Sequence, residues 1–327
     1  MPRPDMQVRG MGGDPSRTSM TVITLLWRNE RYADAFVRTL ETAAAAADTC
    51  VELVAVENGP DGKLAGLALA RGAADAEHIR MLLCRSADNT GFSGGSNRGC
   101  AVASGDVLVV ANLDLEFDPA FVVEVKARAA ALSEPAFLVP SVASPRMNGH
   151  VIDGGPLRRD WLHRPVFLAD TPQPGERVPS ANGSCIIFGR SLYSRRCAAV
   201  GGVFDSEYHS YWEDVDLFWW AERQDIPAWW APSIKVLHHH GGSFGGKFAF
   251  RDRSADLRAS IMANYRLTVW RHASRLPEVF GWLMGEAGYL AKCVLYAGPS
   301  GVSDYLRSWH IVRIRVRAIT ARRGAWR

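Results

Sequence analysis

VLVVANLDLE, residues Val107–Glu116, is the stretch on which the reading of this chain turns. Val107–Ala111 is an unbroken apolar run with the length of a strand buried on both faces, as in a parallel sheet. Asn112 and Leu113 follow, then two carboxylates, Asp114 and Glu116, with Leu115 between them. In open α/β sheets, ligands sit beyond the carboxyl ends of the strands, where these acids fall. Acids at i and i+2 can turn toward one point and hold Mg²⁺ or Mn²⁺ against a diphosphate, with phosphate and water completing the coordination. A solvated acidic turn is the plain alternative.

The residues upstream repeat the pattern. Thr21–Trp27 (TVITLLW) and Val51–Val56 (VELVAV) are apolar runs of strand length, and Tyr32, Phe36 and Leu40 between them recur at a helical period. The second run ends in Glu57-Asn58-Gly59-Pro60, which is turn chemistry. A third strand is expected near Ile79–Leu83. NTGFSGGSNRG, Asn89–Gly99, reads as a glycine-rich loop whose backbone N–H groups can approach an anion, with a helix after it aiming its positive end the same way. A dinucleotide-binding fingerprint belongs after the first strand, whereas this loop follows the third. Pro119 opens a helix with Phe121, Val122 and Val125. The order predicts an α/β fold with a mostly parallel central sheet and helices on both faces.

Downstream, Pro140–Pro179 reads as loops and short strands, and Ala181–Phe188 as a strand. Glu213–Gln224 is a helix whose first turn carries Glu213, Asp214 and Asp216 behind Tyr211 and Trp212. Acids there suit the helix dipole, and one of them could be a general base in a partly desolvated cleft. Ser233–His238 is strand-like and runs into His239 and His240, so an imidazole could complete the Asp114 site. Gly241–Lys247 (GGSFGGK) imitates a P-loop, but Phe248 stands where Ser or Thr must hold Mg²⁺. From about residue 256 the chain reads as amphipathic helix.

Composition bounds the rest. The chain has 327 residues, 47% apolar and 22% charged, which suffices for a large core without staples. A net charge of +4 is too mild to point to nucleic acid. Cys50, Cys84, Cys100, Cys185, Cys197 and Cys293 form no C-x-x-C pair and read as free thiols. Residues 1–20 lack the apolar core of a signal peptide and read as a disordered tail. With no apolar run of membrane-spanning length, the expectation is a cytosolic chain or one lying on the cytosolic membrane face. After Asp304 the side-chain charges are all basic, including Arg307, Arg313, Arg315, Arg317, Arg322 and Arg323. Phe280, Trp282, Leu283, Tyr289 and Leu295 precede them. This end either meets an anionic membrane or packs on the catalytic unit or a second copy, as a homodimer would.

Taken in order, these segments resemble the inverting family 2 glycosyltransferases, in particular the rhamnosyl- and galactofuranosyl-transferase branch. VELVAVENG, NTGFSGGSNRG with the later Gly105-Asp106, ANLDLE, and GGVFDSEYHSYWEDVDLFWWAERQ with KVLHHHGGSF carry the likeness, which covers roughly residues 21–250. Three positions depart from the pattern. Leu26-Trp27-Arg28-Asn29 replaces Tyr-Asn, Glu57 replaces Asp, and Glu116 stands where relatives carry Asp or an uncharged residue. The resemblance implies a GT-A fold with a donor part at 21–118, an acceptor and catalytic part at 119–250, and a helical extension at 251–327. It implies sugar transfer from a nucleoside diphosphate sugar, dTDP or UDP favoured, to a hydroxyl of a glycan, lipid-linked or natural-product acceptor. Asp214 would be the base. Asp114, Glu116 and His238 would hold Mg²⁺ or Mn²⁺. Glu57, Asn89, Gly91, Gly94, Asn97, Asn112, Leu113, Trp212 and Glu213 would line the substrate site, and Trp219 and Trp220 offer further faces for a sugar. The rival readings are a non-catalytic sugar-nucleotide or glycan binder on this fold and a sugar nucleotidyltransferase.

Overall fold

The computed structural model describes residues 20–144, 155–168, 170–239, 253–273 and 276–325. The expected N-terminal tail up to residue 19, His240 and the P-loop-like GGSFGGK lie outside them.

The apolar runs are strands and the helical periods are helices. β1 (Met20–Leu26), β2 (Val51–Asn58), β3 (Ile79–Ser86) and β4 (Val107–Ala111) form the parallel half of one eight-stranded sheet. β5 (Leu115–Phe117), β6 (Phe137–Ala143), β10 (Cys185–Gly189) and β11 (Ala228–His238) complete it in the order β3-β2-β1-β4-β10-β6-β11-β5. β10 runs antiparallel to both its neighbours, and β5 antiparallel to β11. The sheet is therefore mixed. A separate three-stranded sheet comprises β7 (Pro156–Arg159), β8 (Pro165–Phe167) and β9 (Ser180–Ala181).

Alternation along the strands builds two cores. Val22, Leu53, Val107 and Val109 face one way, against α1 (Ala33–Ala46), α2 (Lys63–Gly72) and α4 (Phe121–Arg128). Ile23, Val54, Leu108 and Val110 face the other, against α3 (Gly91–Val102), α5 (Arg190–Val200) and α6 (Glu213–Arg223). The expected helices on both faces are present. All six cysteines are free thiols.

The expected glycine loop is mostly helix: α3 starts at Gly91. Its glycines bring the helix close to the sheet. A Cβ at Gly95 would strike Leu25, and one at Gly99 would strike Ile23. Each tight contact outweighs the roughly 1 kcal/mol that a helical glycine costs.

α7 (Ala255–His272) and α8 (Leu276–Ala325) form the helical extension. α8 contains Pro299 and doubles back. Tyr305 Oη donates to Glu286 Oε2 at 2.9 Å, and the Trp282 and Trp309 rings lie 6.2 Å apart. Nineteen residues of straight helix would span about 28 Å. The two arms therefore pack side by side, folded at the proline-containing stretch, where helices bend.

Candidate active site

A cleft of about 740 Å³ opens beyond the carboxyl ends of β1, β2 and β4. Trp27 and Asn29 follow β1, Asn58 ends β2, Asn112, Leu113 and Asp114 follow β4, and His238 ends β11; all of them line it. So do Glu213 and Asp214 at the start of α6 and the first turn of α7.

Asp114 and His238 are brought together by the pairing of β5 with β11. His238 Nε2 lies 3.1 Å from Asp114 Oδ1, and the His239 N–H donates to the Asp114 carbonyl at 2.9 Å. Glu116 goes elsewhere: its Oε1 meets His239 Nε2 at 2.7 Å, and His239 stacks on Tyr32. Neighbouring strand residues point to opposite faces, so the two histidines take one acid each. The expected trio of Asp114, Glu116 and His238 is thus not gathered at one point. Among the described residues no three His, Cys, Asp or Glu side chains are grouped to hold a metal ion. The Asp114–His238 pair remains as a donor set whose other positions a diphosphate and water could fill, the habit of divalent cations at phosphates.

The first turn of α6 separates its acids by 100° per residue. Asp214 Oδ2 accepts from the Gly183 N–H, and Oδ1 from the Val215 N–H, each at 2.8 Å. Burial pushes its carboxyl up against the pull of those N–H groups. Glu213 is raised well above the usual range by burial and by the charge of Asp214. Its Oε2 is buried without a partner among the described residues. Asp216 points away from the cleft into a buried cluster. Arg196, Arg271, His272 and Tyr208 donate to it. Burial would raise its carboxyl, but the two guanidiniums and the His272 bond overcome this and hold it well below the usual range.

The segment leading into α6 is strained. His209, Tyr211 and Trp212 have φ of 58°, 69° and 74°, left-handed values that non-glycine residues rarely take. Such strain persists only where the surroundings over-determine it. Here Asn264 of α7 does so. Its Nδ2 donates to the carbonyls of Tyr208 at 2.9 Å, Ser210 at 2.8 Å and Tyr211 at 2.7 Å. Arg315 of α8 donates to Asn264 Oδ1.

Of the expected substrate contacts, Asn89, Gly91, Asn112, Leu113, Trp212 and Glu213 line the cleft. Three others do not. Glu57 faces α2, where it pairs with Arg85 at 2.9 Å beside Gly66. Its neighbour Asn58 takes the cleft side, and Asn58 Oδ1 accepts from the N–H and hydroxyl of Thr90. Gly94 packs on Thr90. Asn97 exchanges hydrogen bonds with the Phe204 backbone, pinning α3 to the segment that leads into α6. The N-terminal amides of α3 were expected to face an anion, but those of Gly91, Phe92 and Ser93 are taken by Asn89, Ser210 and His209. Trp219 is buried under Arg159, and Trp220 lies against Arg196, so both serve packing. Asn58 falls, as its place at a strand's carboxyl end implies, at the cleft. Gly183, Arg253 and Asn264 were not legible in the sequence, because they sit on separate elements that only folding brings near.

An eight-stranded mixed sheet with helices on both faces is the architecture of the GT-A glycosyltransferases. The sequence model of the family described as Glycosyl transferase family 2 matches residues 25–196, and the chain belongs to that family. A curated relative is 28% identical over 197 residues: the N-acetylglucosaminyl-diphospho-decaprenol L-rhamnosyltransferase of Mycobacterium tuberculosis. The match takes in 55% of this chain and 60% of the relative's length. Two solved structures share the fold. TarS 1-349 of S. aureus, in complex with UDP-GlcNAc, is 11% identical with a TM-score of 0.56, over 89% of this chain and 79% of that one. The mannosyltransferase PcManGT from Pyrobaculum calidifontis, in complex with GDP-Man and Mn2+, is 16% identical with a TM-score of 0.54, over 98% and 84%. Among the described residues, no helix is long and apolar enough to cross a membrane.

Proposed function

We propose that the chain transfers a sugar, with inversion, from a nucleoside diphosphate sugar to a hydroxyl. A dTDP- or UDP-sugar donor, as the sequence resemblance favours, and a lipid-linked acceptor, after the name of the rhamnosyltransferase relative, are the first pair to test. The observation that carries this is the pairing, in one cleft, of Asp114 and His238 with a half-buried, upward-shifted Asp214. The turn at Asn182–Ser184 couples the two: the Asn112 N–H donates to Ser184 O at 2.9 Å, and the Gly183 N–H donates to Asp214.

Asp214 takes the proton of the acceptor hydroxyl as its oxygen bonds to the anomeric carbon. The bond from that carbon to the diphosphate breaks on the opposite face. Burial favours this role, since a base works best with a pKa near the working pH. Asp114 and His238 would hold Mg²⁺ or Mn²⁺, and such an ion supplies neutralising charge to the departing diphosphate. Arg253, stacked on Tyr211 in the cleft wall, adds positive charge there. The uncharged form favoured at Glu213 can donate a hydrogen bond to a sugar hydroxyl.

The test is nucleoside diphosphate release and product mass with dTDP- and UDP-sugars, Mn²⁺ or Mg²⁺, and a polyprenyl-diphosphate-linked N-acetylglucosamine. Asp114→Ala should lose metal-dependent donor binding; unchanged binding removes the metal assignment. Donor binding without transfer to any acceptor favours the non-catalytic rival. Pyrophosphate exchange favours a nucleotidyltransferase.

A further inference from the structure

The first arm of α8 buries one face and leaves the other apolar. Gly285, Glu286 and Cys293 turn inward, to Tyr265, Arg266 and Met262 of α7. Phe280 (61% exposed), Leu283, Met284, Leu290, Val294 and Leu295 (77% exposed) turn outward, along about 22 Å of helix. Trp161, 63% exposed, prolongs the strip, because Gly281 packs on its carbonyl. Isolated exposed apolar residues are ordinary, but a continuous strip of this kind marks a contact surface.

The charges indicate which contact. Among the described side chains between Val279 and Arg322, the carboxylates are Glu286 and Asp304. Both are buried and ion-paired, with Arg266 and Arg258. The exposed charges are Lys292, Arg307, Arg313 and Arg317, all positive. Among the described side chains, an apolar strip beside Lys292, Arg313 and Arg317, with the exposed Asp256 carboxylate neutralised by Arg307, matches an anionic lipid surface, and no described helix is long and apolar enough to span one.

The fold also aims the cleft. The turn between the arms lies at the start of α7, where Asp304 pairs with Arg258 and Arg307 with Asp256. That same first turn lines the cleft through Ser254, Asp256 and Leu257. We propose that the outer face of this helical hairpin, with Trp161, docks on an anionic phospholipid surface and holds the cleft mouth at the headgroups. A lipid-linked acceptor then reaches Asp214 without leaving its membrane. The orientation rests on the proposed acceptor; the docking surface does not.

Co-sedimentation of the full chain with vesicles, without substrates, is the test. Capture should occur on phosphatidylglycerol-containing vesicles and not on pure phosphatidylcholine. It should fall steeply between 50 and 500 mM salt as screening shortens from about 14 to 4 Å. Arg313→Glu with Arg317→Glu should lower capture by about 25-fold or more, near fivefold for each cation removed from such a surface. Phe280→Glu with Leu295→Glu should abolish it. These positions are exposed, so the melting temperature and transfer to a water-soluble acceptor should stay as in the wild type. Equal capture on both vesicle types overturns the proposal, as does no capture at low salt. So does a dimer in size-exclusion chromatography that Leu295→Glu dissociates while the wild type captures no vesicles. Vesicle capture by a chain inactive on every acceptor leaves the surface standing and removes the enzymatic reading.

Discussion

Replacing Asp214 by asparagine keeps the side chain's size and removes its ability to take a proton. The structure allows the rate and stability effects to be separated. Asp214 accepts one N–H at each oxygen, from Gly183 and Val215, both at 2.8 Å. An asparagine can satisfy one of them, while its NH₂ group faces the other donor, a loss of about 1–3 kcal/mol. Burial, which disfavours the wild-type charge and pushes the carboxyl up, no longer opposes folding in the variant. The two effects offset, so the melting temperature should move by only a few degrees. Turnover should fall about 10²–10⁴-fold, the usual worth of a positioned base, or about 2.7–5.5 kcal/mol of barrier. The assay is nucleoside diphosphate release at saturating donor and acceptor from pH 5 to 9, with donor affinity from calorimetry. In the wild type the rate should be lost as pH falls through the raised pKa, since the protonated carboxyl cannot accept. That limb should lie above the ordinary carboxylate range and be absent in the variant. Wild-type turnover in the variant refutes the assignment and moves the role to Glu213. A loss of donor affinity in step with the rate refutes it too, making Asp214 a donor ligand.

Three further outcomes are expected. In Gly183→Ala the new Cβ would overlap the Asp214 carboxylate, so kcat should drop at least tenfold with the melting temperature nearly unchanged; intact kcat would show that Asp214 need not be held there. Asp216→Asn strips the counter-charge from Arg196 and leaves Arg271 with Asp205 alone, and should cost about 3–5 kcal/mol, or about 4–8 °C in melting temperature. Because the Asp216 carboxyl is held below its unfolded value, its contribution is present above about pH 3.9 and lost as pH falls below it. The gap to wild type, read by thermal denaturation, should therefore narrow in acid; a gap that widens would contradict the network. Asn264→Ala frees the strained turn at His209–Trp212 and should lower kcat more than it raises KM, since the turn aims α6 rather than binding donor; an unchanged kcat would remove that bracing role.

Sequence by itself determined the first four strands and the side of the sheet where chemistry would lie, whereas the central strand β6 (Phe137–Ala143) and the short β5 went unread. Continuous apolar runs such as Val107–Ala111 have one stable environment, a sheet covered on both faces, and polar residues at their ends must then emerge at its edge. For the same reason Asp114 and the acids of α6 were legible: strand end and helix start are local properties. Tertiary structure alone decided which of those acids meet. Glu57 and Asn58 differ by one residue, yet strand alternation sends one under α2 and the other into the cleft. Glu116 is parted from Asp114 because Asp114 stays in the turn before β5, beside His238, while Glu116 lies within the strand, opposite Leu237 of β11. Asp216 is withdrawn from catalysis by arginines of α5 and α7, and the turn that aims α6 is braced by Asn264. The glycines of Gly91–Gly99 looked like a loop because glycine's local preference favours one. Packing reversed that preference, since only a side chain of no size lets α3 lie so close to β1.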